Sequence, residues 1–247
     1  MSAFTHSAEY YEVLTNATAR LAREGPLLDA CLNEAPGRRM IDLACGTGLH
    51  ALFFAERGAA VTAVDLSPDM VAHASRVRRH DGIVYRVEDM RNVTGGPWDL
   101  ILCLGNSLSL LASEQDLAAM FAHLSGQLAP GGLMLTQTLN YAAPQAAQPR
   151  HRIEEVTAGD TTVTAVKSLV PRGNRTLLSL TFFATQRDAV DTVAEAAVLR
   201  NWSIEELCRA IEQAGLDVRE SFGAFDRSSY DPTQSPDIIL RIVKPAS

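Results

Sequence analysis

Met40-Ile41-Asp42-Leu43-Ala44-Cys45-Gly46-Thr47-Gly48-Leu49-His50-Ala51 joins a short apolar run to a helix-like segment through two glycines. The pattern G-x-G-x-x-A between a strand and a helix fits any cofactor whose atoms approach backbone closely at a helix N-terminus. Two carboxylates narrow the choice. Asp42 stands towards the end of the first run, four residues before Gly46, and Asp65 closes the next one, Ala60 to Val64. A pyrophosphate beside Asp42 would be repelled, whereas a ligand carrying an ammonium and a sulfonium would be attracted. A carboxylate at the end of the second strand, as Asp65 is, can accept both hydroxyls of an adenosine ribose.

Outward from this loop, short apolar runs alternate with helical patterns. Residues 1–39 read as two helical segments with Gly25-Pro26 as the break between them. The run Met40 to Ala44 is a strand, Leu49 to Arg57 a helix, and Ala60 to Val64 a second strand. Ser67-Pro68 is an N-cap and first helical position for a segment reaching about Arg79. Ile83 to Val87 and Leu100 to Leu104 are further strands. Ser113 and Asp116 open a helix to about Leu128, and Pro130-Gly131-Gly132 stops it before the strand Leu133 to Thr138. Such alternation predicts a parallel α/β sheet with right-handed crossovers.

The pattern changes after Asn140. Residues 142–149 have linker composition, and from Arg152 to Leu199 the period becomes two. Leu178, Leu180 and Phe182 share one face, while Gly159-Asp160 and Gly173-Asn174 are hairpin-turn dipeptides, so about four antiparallel strands are expected. Ser203 and Glu206 form a capping box for a helix to Ala214 that Gly215 stops. Val218 to Phe222 and Ile238 to Val243 are closing strands. The expected organisation is 1–140 for N-terminal helices and a Rossmann-like cofactor-binding core, 141–200 for the β insertion, and 201–247 for a return to the core sheet.

Composition bounds the partners. The 247 residues include 22 Lys and Arg against 29 Asp and Glu, a net charge of −7, with 47% hydrophobic residues. That is enough apolar content for an ordinary core. The acidic balance and the lack of a basic stripe argue against nucleic acid. No apolar run approaches the roughly 18 residues of a membrane span, and Met1 to Glu12 lacks a secretory apolar region. Cys31, Cys45, Cys103 and Cys208 show no C-x-x-C and no His at zinc-ligand spacing, so reduced thiols and no metal site are expected. A cytoplasmic protein acting on small molecules follows, without a membrane partner.

Asp89, just past the third strand and followed by Met90, suits an adenine amino group lying against an apolar contact. Cationic amino-acid end, ribose, adenine: that order describes S-adenosylmethionine. The segments Asp42-Leu43-Ala44-Cys45-Gly46-Thr47-Gly48, Val64-Asp65-Leu66-Ser67-Pro68-Asp69-Met70 and Glu88-Asp89-Met90 resemble those of the class I S-adenosylmethionine-dependent methyltransferases. Within that family the chain looks most like the glycine N-methyltransferase type. Cys103-Leu104-Gly105-Asn106-Ser107-Leu108, Leu139-Asn140-Tyr141, the late insertion and the tail from Gly223 through Tyr230 carry the likeness. Those enzymes have Arg before the Asn-Tyr pair. Leu139 stands there in this chain, so the resemblance implies a small-molecule N-methyltransferase in general rather than one for glycine.

The resemblance implies a seven-stranded, mostly parallel sheet with an antiparallel last strand, plus a small antiparallel β insertion. It implies S-adenosylmethionine as cofactor and S-adenosylhomocysteine as product. Gly46 and Gly48, with Ala44 beside them, would let the methionyl part approach backbone, and Asp42 would orient its amino group. Asp65 would hold the ribose, with Leu66 and Met70 beside the adenine and Asp89 and Met90 recognising it. Leu104 and Asn106 would sit under the methionyl chain. Arg20 stands at the family position of a carboxylate-binding Arg, and Tyr11 at that of a lid Tyr.

Methyl transfer is an in-line displacement that needs alignment, exclusion of water and a nucleophile with a free lone pair. A neutral amine needs no strong base in that step, and the sequence identifies no catalytic base. Asn140 and Tyr141 follow the fifth strand on the carboxyl edge, where open sheets bind ligands. Arg200 is placed to bind an anionic group of the substrate, and Tyr230 to close the pocket. Structural readings stand beside these. Asn106 could bond the backbone of a turn, Tyr141 could pack, and Arg200 and Tyr230 could lie on the surface. His50 faces either cofactor or solvent, His151 and Arg152 read as the solvated start of the insertion, and Trp98 and Trp202 read as core. The insertion either covers the acceptor pocket or pairs copies of the chain into a homo-oligomer through its strand edges. Rival functions are an O- or protein methyltransferase, a module that binds the cofactor without chemistry, and an NAD-dependent oxidoreductase, against which Asp42 counts.

Overall fold

The computed structural model describes residues 8–187 and 189–245. Helices α1 (Ala8–Thr15) and α2 (Ala17–Glu34) lead into strand β1 (Arg39–Leu43). Then follow α3 (Leu49–Ala55), β2 (Ala60–Asp65), α4 (Pro68–Val77), β3 (Ile83–Val87), β4 (Trp98–Cys103), α5 (Glu114–Gln127) and β5 (Leu128–Leu139). Strands β6 (Arg150–Ala158), β7 (Thr161–Arg172), β8 (Arg175–Gln186) and β9 (Ala189–Arg200) precede α6 (Ile204–Gln213), β10 (Asp217–Phe222) and β11 (Asp237–Val243).

Seven strands pair in the order β10-β11-β5-β4-β1-β2-β3, all parallel except β11, which runs antiparallel to both neighbours. The central strands are apolar nearly throughout because helices cover both faces. Ile41, Leu43, Ile101 and Cys103 bury against α5 and α6 on one side. Met40, Leu100 and Leu102 bury with Phe53, Phe54, Leu27 and Leu28 of α2 and α3 on the other. Trp98 and Trp202 lie in the core, and the Trp202 indole N–H donates to the Leu108 carbonyl at 2.9 Å. The carboxyl ends of β1, β4 and β2 therefore meet at one edge.

Strands β6 to β9 form a separate four-stranded antiparallel sheet in simple order. Its inner face carries Ala165, Leu178, Leu180, Phe182 and Leu199, which bury together with Leu14 of α1. Helix α1 thus lies under the second sheet, and its Glu12 takes a two-pronged ion pair from Arg78, just beyond α4, at 2.6 and 2.9 Å.

Two expectations are corrected. The N-terminal break falls at Asn16, whose φ of 34° interrupts the helix and whose carboxamide oxygen caps α2 at Ala19 N. Gly25-Pro26 stays inside α2. Burial of Glu24, Gly25, Leu27 and Leu28 outweighs the missing proline N–H, and the Phe53 ring packs against Gly25. Likewise Pro130-Gly131-Gly132 does not separate helix from strand. β5 begins at Leu128, and the triplet forms an irregularity that carries the pairing with β4 from Trp98–Leu128 to Leu100–Leu133. A bulge absorbs turn residues without ending the strand.

Candidate active site

The loop after β1 turns through positive φ at Ala44 (53°), Gly46 (54°) and Gly48 (80°). These angles favour glycine at the last two positions. The two glycines serve different ends. A Cβ on Gly46 would point into open space, whereas one on Gly48 would come within 2.7 Å of the Tyr85 hydroxyl and 3.2 Å of Ala74 Cβ. Gly46 thus faces a cavity, while Gly48 lets the loop pack on α4 and β3 and lies outside the cavity lining.

The cavity measures about 960 Å³ and opens along the carboxyl edge of the sheet, roofed by α1 and the inner face of the insertion. Asp42 sits on its floor, 2% exposed, with Oδ2 buried and without a hydrogen-bond partner among the described residues. Burial pushes its carboxyl up to about 6, against the pull of His50 and Arg20 and with a push from Asp65. A buried carboxylate oxygen without a partner, in a cavity, is a place for a cationic group.

Asp65 accepts Gly46 N at one oxygen and Ser67 N at the other, both at 2.9 Å. Burial raises its carboxyl and these backbone N–H groups oppose the rise. Each carboxylate oxygen keeps a further lone pair for a hydroxyl donor. Beyond it, Leu66 is 45% exposed, and Met70 and Met90 supply apolar contact. Asp89 also lines the cavity, but Arg91 grips both its oxygens at 2.6–3.0 Å and holds its carboxyl low. Leu104 and Asn106 border the other end, with Tyr11 and Arg20 above.

Asn106 takes the role of a loop clamp. Its Oδ1 accepts Leu139 N and Ser109 Oγ, and its Nδ2 donates to the Tyr141 hydroxyl, all at 2.9 Å. Gln137 reinforces it by accepting Gly105 N at 2.8 Å and donating to Asp237 at 2.7 Å.

Four residues expected at the acceptor stand outside the cavity lining. Asn140 is 3% exposed and saturated: it donates to the carbonyls of Pro232 and Ser235 and accepts Ala142 N and the Tyr230 hydroxyl. It ties the loop before β11 to β5, and Tyr230 is spent in the same knot. Tyr141 is occupied by Asn106 and Ser109. Arg200 lies over the Trp202 ring at 5.0 Å and pairs with Glu206 at 2.7 Å, facing the α5–α6 junction.

In their place the structure brings other groups to the cavity. Glu24, 1% exposed, accepts Arg20 Nε at 2.9 Å and meets His50 Nε2 at 2.7 Å. Burial alone would raise its carboxyl, but His50 and Arg20 hold it at about 2. The i,i+4 spacing of Arg20 and Glu24 is visible in sequence; the contact with His50 is not. From the insertion come Arg152, Lys167, Leu169, Leu178 and the segment 196–199. Lys167 had a readable signal, as a charge on the otherwise apolar inward series Ala165, Lys167, Leu169.

Residues 40–132 match the family described as a methyltransferase domain. The chain is 34% identical over 138 residues to the glycine/sarcosine N-methyltransferase of Aphanothece halophytica, covering 54% of this chain and 52% of that one. It is 28% identical over 182 residues to the dTDP-3-amino-3,6-dideoxy-alpha-D-glucopyranose N,N-dimethyltransferase of Streptomyces fradiae, covering 72% and 70%. It thus spans about half the length of the glycine/sarcosine enzymes it matches. The crystal structure of an S-adenosylmethionine-dependent methyltransferase from Clostridium acetobutylicum superposes with a TM-score of 0.80 at 18% identity, over 96% of this chain and 97% of that one. Sheet order, glycine loop and sequence likeness agree: residues 40–132 match a methyltransferase domain, and the whole chain shares the fold of an S-adenosylmethionine-dependent methyltransferase of known structure.

Proposed function

We propose that the protein transfers a methyl group from S-adenosylmethionine to an amine nitrogen of a small molecule. The observation that carries the cofactor half is the unpartnered buried oxygen of Asp42 beside the open face of Gly46. The site residues fit the cofactor in order. Asp42 would hold the ammonium, with Arg20 and Tyr11 above. Asp65 would hold the ribose hydroxyls, and Leu66, Met70, Asp89 and Met90 the adenine. When bound, the cofactor supplies a methyl carbon activated by a sulfonium.

The chain's own contribution is positioning and dryness. The loop Leu104 to Ser107, fixed by Gln137 and Asn106, sets the wall against which the methionyl chain lies. Helix α1 and the insertion exclude water above it, so a neutral amine needs alignment more than a base. The amine reading draws on the names of two relatives, one acting on glycine and sarcosine and one on an amino sugar. Its test is release of S-adenosylhomocysteine from S-adenosylmethionine with a panel of small amines and matched alcohols. Turnover of amines alone supports it, and turnover of alcohols alone would replace it with O-transfer.

Three finer readings go with this proposal. The chain divides functionally into 1–140, 141–200 and 201–247, with the middle part covering the acceptor. Four free cysteines suit the reducing cytoplasm. Copies associate through the outer face of the insertion, where Ile153, Leu177, Phe183 and Val198 are exposed on one side of the sheet. Sedimentation should show an assembly that Phe183→Asp breaks; a monomeric wild type would remove that last reading.

A further inference from the structure

Three cations cluster at one end of the inner face of the insertion. In the register of β6 and β7, Arg152 stands opposite Lys167 and Arg150 opposite Leu169, so the three cations project from the same side. Arg152 and Lys167 line the cavity, and Arg20 of α2 lines it from across the gap. Arg152 is paired at the rim with Glu154 at 2.6 Å, and Arg20 with Glu24. The other two lack such relief: among the described residues Lys167 makes no ion pair or hydrogen bond, and Arg150 Nε is buried without a partner. Among the described residues three carboxylates share the face: Glu154 pairs with Arg152, Asp191 lies towards the far end opposite Ala184, and Glu195 stands across β8 from Lys167 and acts on Tyr11 of α1.

Burial pushes the Lys167 ammonium down, and Arg152, Arg20 and Arg150 push it the same way. Lys167 and Arg150, partly buried beside other cations and without an ion pair of their own among the described residues, raise the energy of the free protein, and an arriving anion relieves that. Leu169 and Leu178, beside Lys167 in the roof, leave its ammonium and the Arg152 guanidinium opposite as the polar groups there. It hangs over the space left beside the cofactor residues.

The geometry points to Lys167, supported by Arg150 and Arg152, as the residue that selects an acceptor bearing an anionic group, a carboxylate or a phosphate, at the end remote from its amine. This rests on the methyltransferase reading and deepens it. Lys167 would be a specificity residue: it binds and orients the acceptor, and takes no part in moving the methyl group. An amine held at one end by a charge-assisted contact loses the freedom that otherwise dilutes in-line attack.

The test uses the full chain saturated with S-adenosylhomocysteine and titrated calorimetrically with three probes: 3-aminopropyl phosphate, β-alanine and propylamine. The expected result is that at least one anionic probe binds and propylamine binds at least about tenfold more weakly. Lys167→Met should cost that probe about tenfold or more, Lys167→Arg should retain it, and S-adenosylhomocysteine affinity should stay unchanged in both. The better of the first two probes tells phosphate from carboxylate. Equal binding of all three probes, binding of none, or an unaltered affinity in Lys167→Met would overturn the inference while leaving the cofactor reading intact. Failure of the wild type to bind S-adenosylhomocysteine would overturn the methyltransferase reading, and the acceptor inference with it.

Discussion

At the scale of single residues, two buried carboxylates on the cavity floor are tuned in opposite directions. Asp42 is raised from 3.8 to about 6, so its ionised form disfavours the empty fold once pH climbs through that window. Asp42→Asn should therefore stabilise the cofactor-free protein at pH 7, on the order of 1–3 kcal/mol. It should also weaken S-adenosylhomocysteine about tenfold or more, since a carboxamide holds an ammonium poorly. In the wild type that affinity should fall as pH drops below about 6, and in the variant the dependence should flatten. Denaturant unfolding and titration across pH check both halves. Glu24 is lowered from 4.5 to about 2, so its contribution is present above 4.5 and is lost as pH falls towards 2. Glu24→Gln should cost on the order of 2–3 kcal/mol at pH 7, with the gap closing in acid. Urea unfolding of both proteins at neutral and acid pH reads this directly.

At the scale of elements, the glycine loop and α1 are coupled parts. Gly46→Ala should keep the fold at a cost of about 1 kcal/mol from its left-handed φ and yet lose most cofactor affinity, because its Cβ enters the cavity. Gly48→Ala should cost more stability, about 2–4 kcal/mol, by forcing the loop off Tyr85 and Ala74. Paired melting curves and titrations separate the two. Arg78 bridges α1 and the loop, donating to Glu12 and to the Thr47 carbonyl at 2.8 Å. Glu12→Gln should loosen α1, speed its proteolysis and weaken S-adenosylhomocysteine roughly threefold to tenfold. These elements differ in how far sequence revealed them. The strand–loop–helix at Met40 to Ala51, the capping box at Ser203 and the hairpins at Gly159 and Gly173 are set by local chemistry, and they were legible. The helix through Pro26 and the strand through Pro130 were not, because tertiary burial overrode a local breaker.

At the scale of the whole molecule, the same division holds for the site. The residues of the cavity floor are legible because one strand–turn–helix and the ends of two neighbouring strands supply most of them, in fixed order. The residues of the cavity roof are not, because they come from a sheet whose placement over the cavity is a long-range outcome. Asn140, Tyr141, Arg200 and Tyr230 follow sites on the chain that suggest ligand contact, but Asn140, Tyr141 and Tyr230 are consumed by bonds that join elements far apart in sequence, and Arg200 by Glu206 at the start of the next helix. Lys167 and Arg152 arrive instead from the insertion. The central claim remains the cofactor, and calorimetric titration with S-adenosylhomocysteine tests it most directly, on the wild type and on Asp65→Ala, with NAD as competitor. Micromolar binding that collapses in Asp65→Ala and ignores NAD is the expected result. No binding to the wild type, or displacement by NAD, would contradict it.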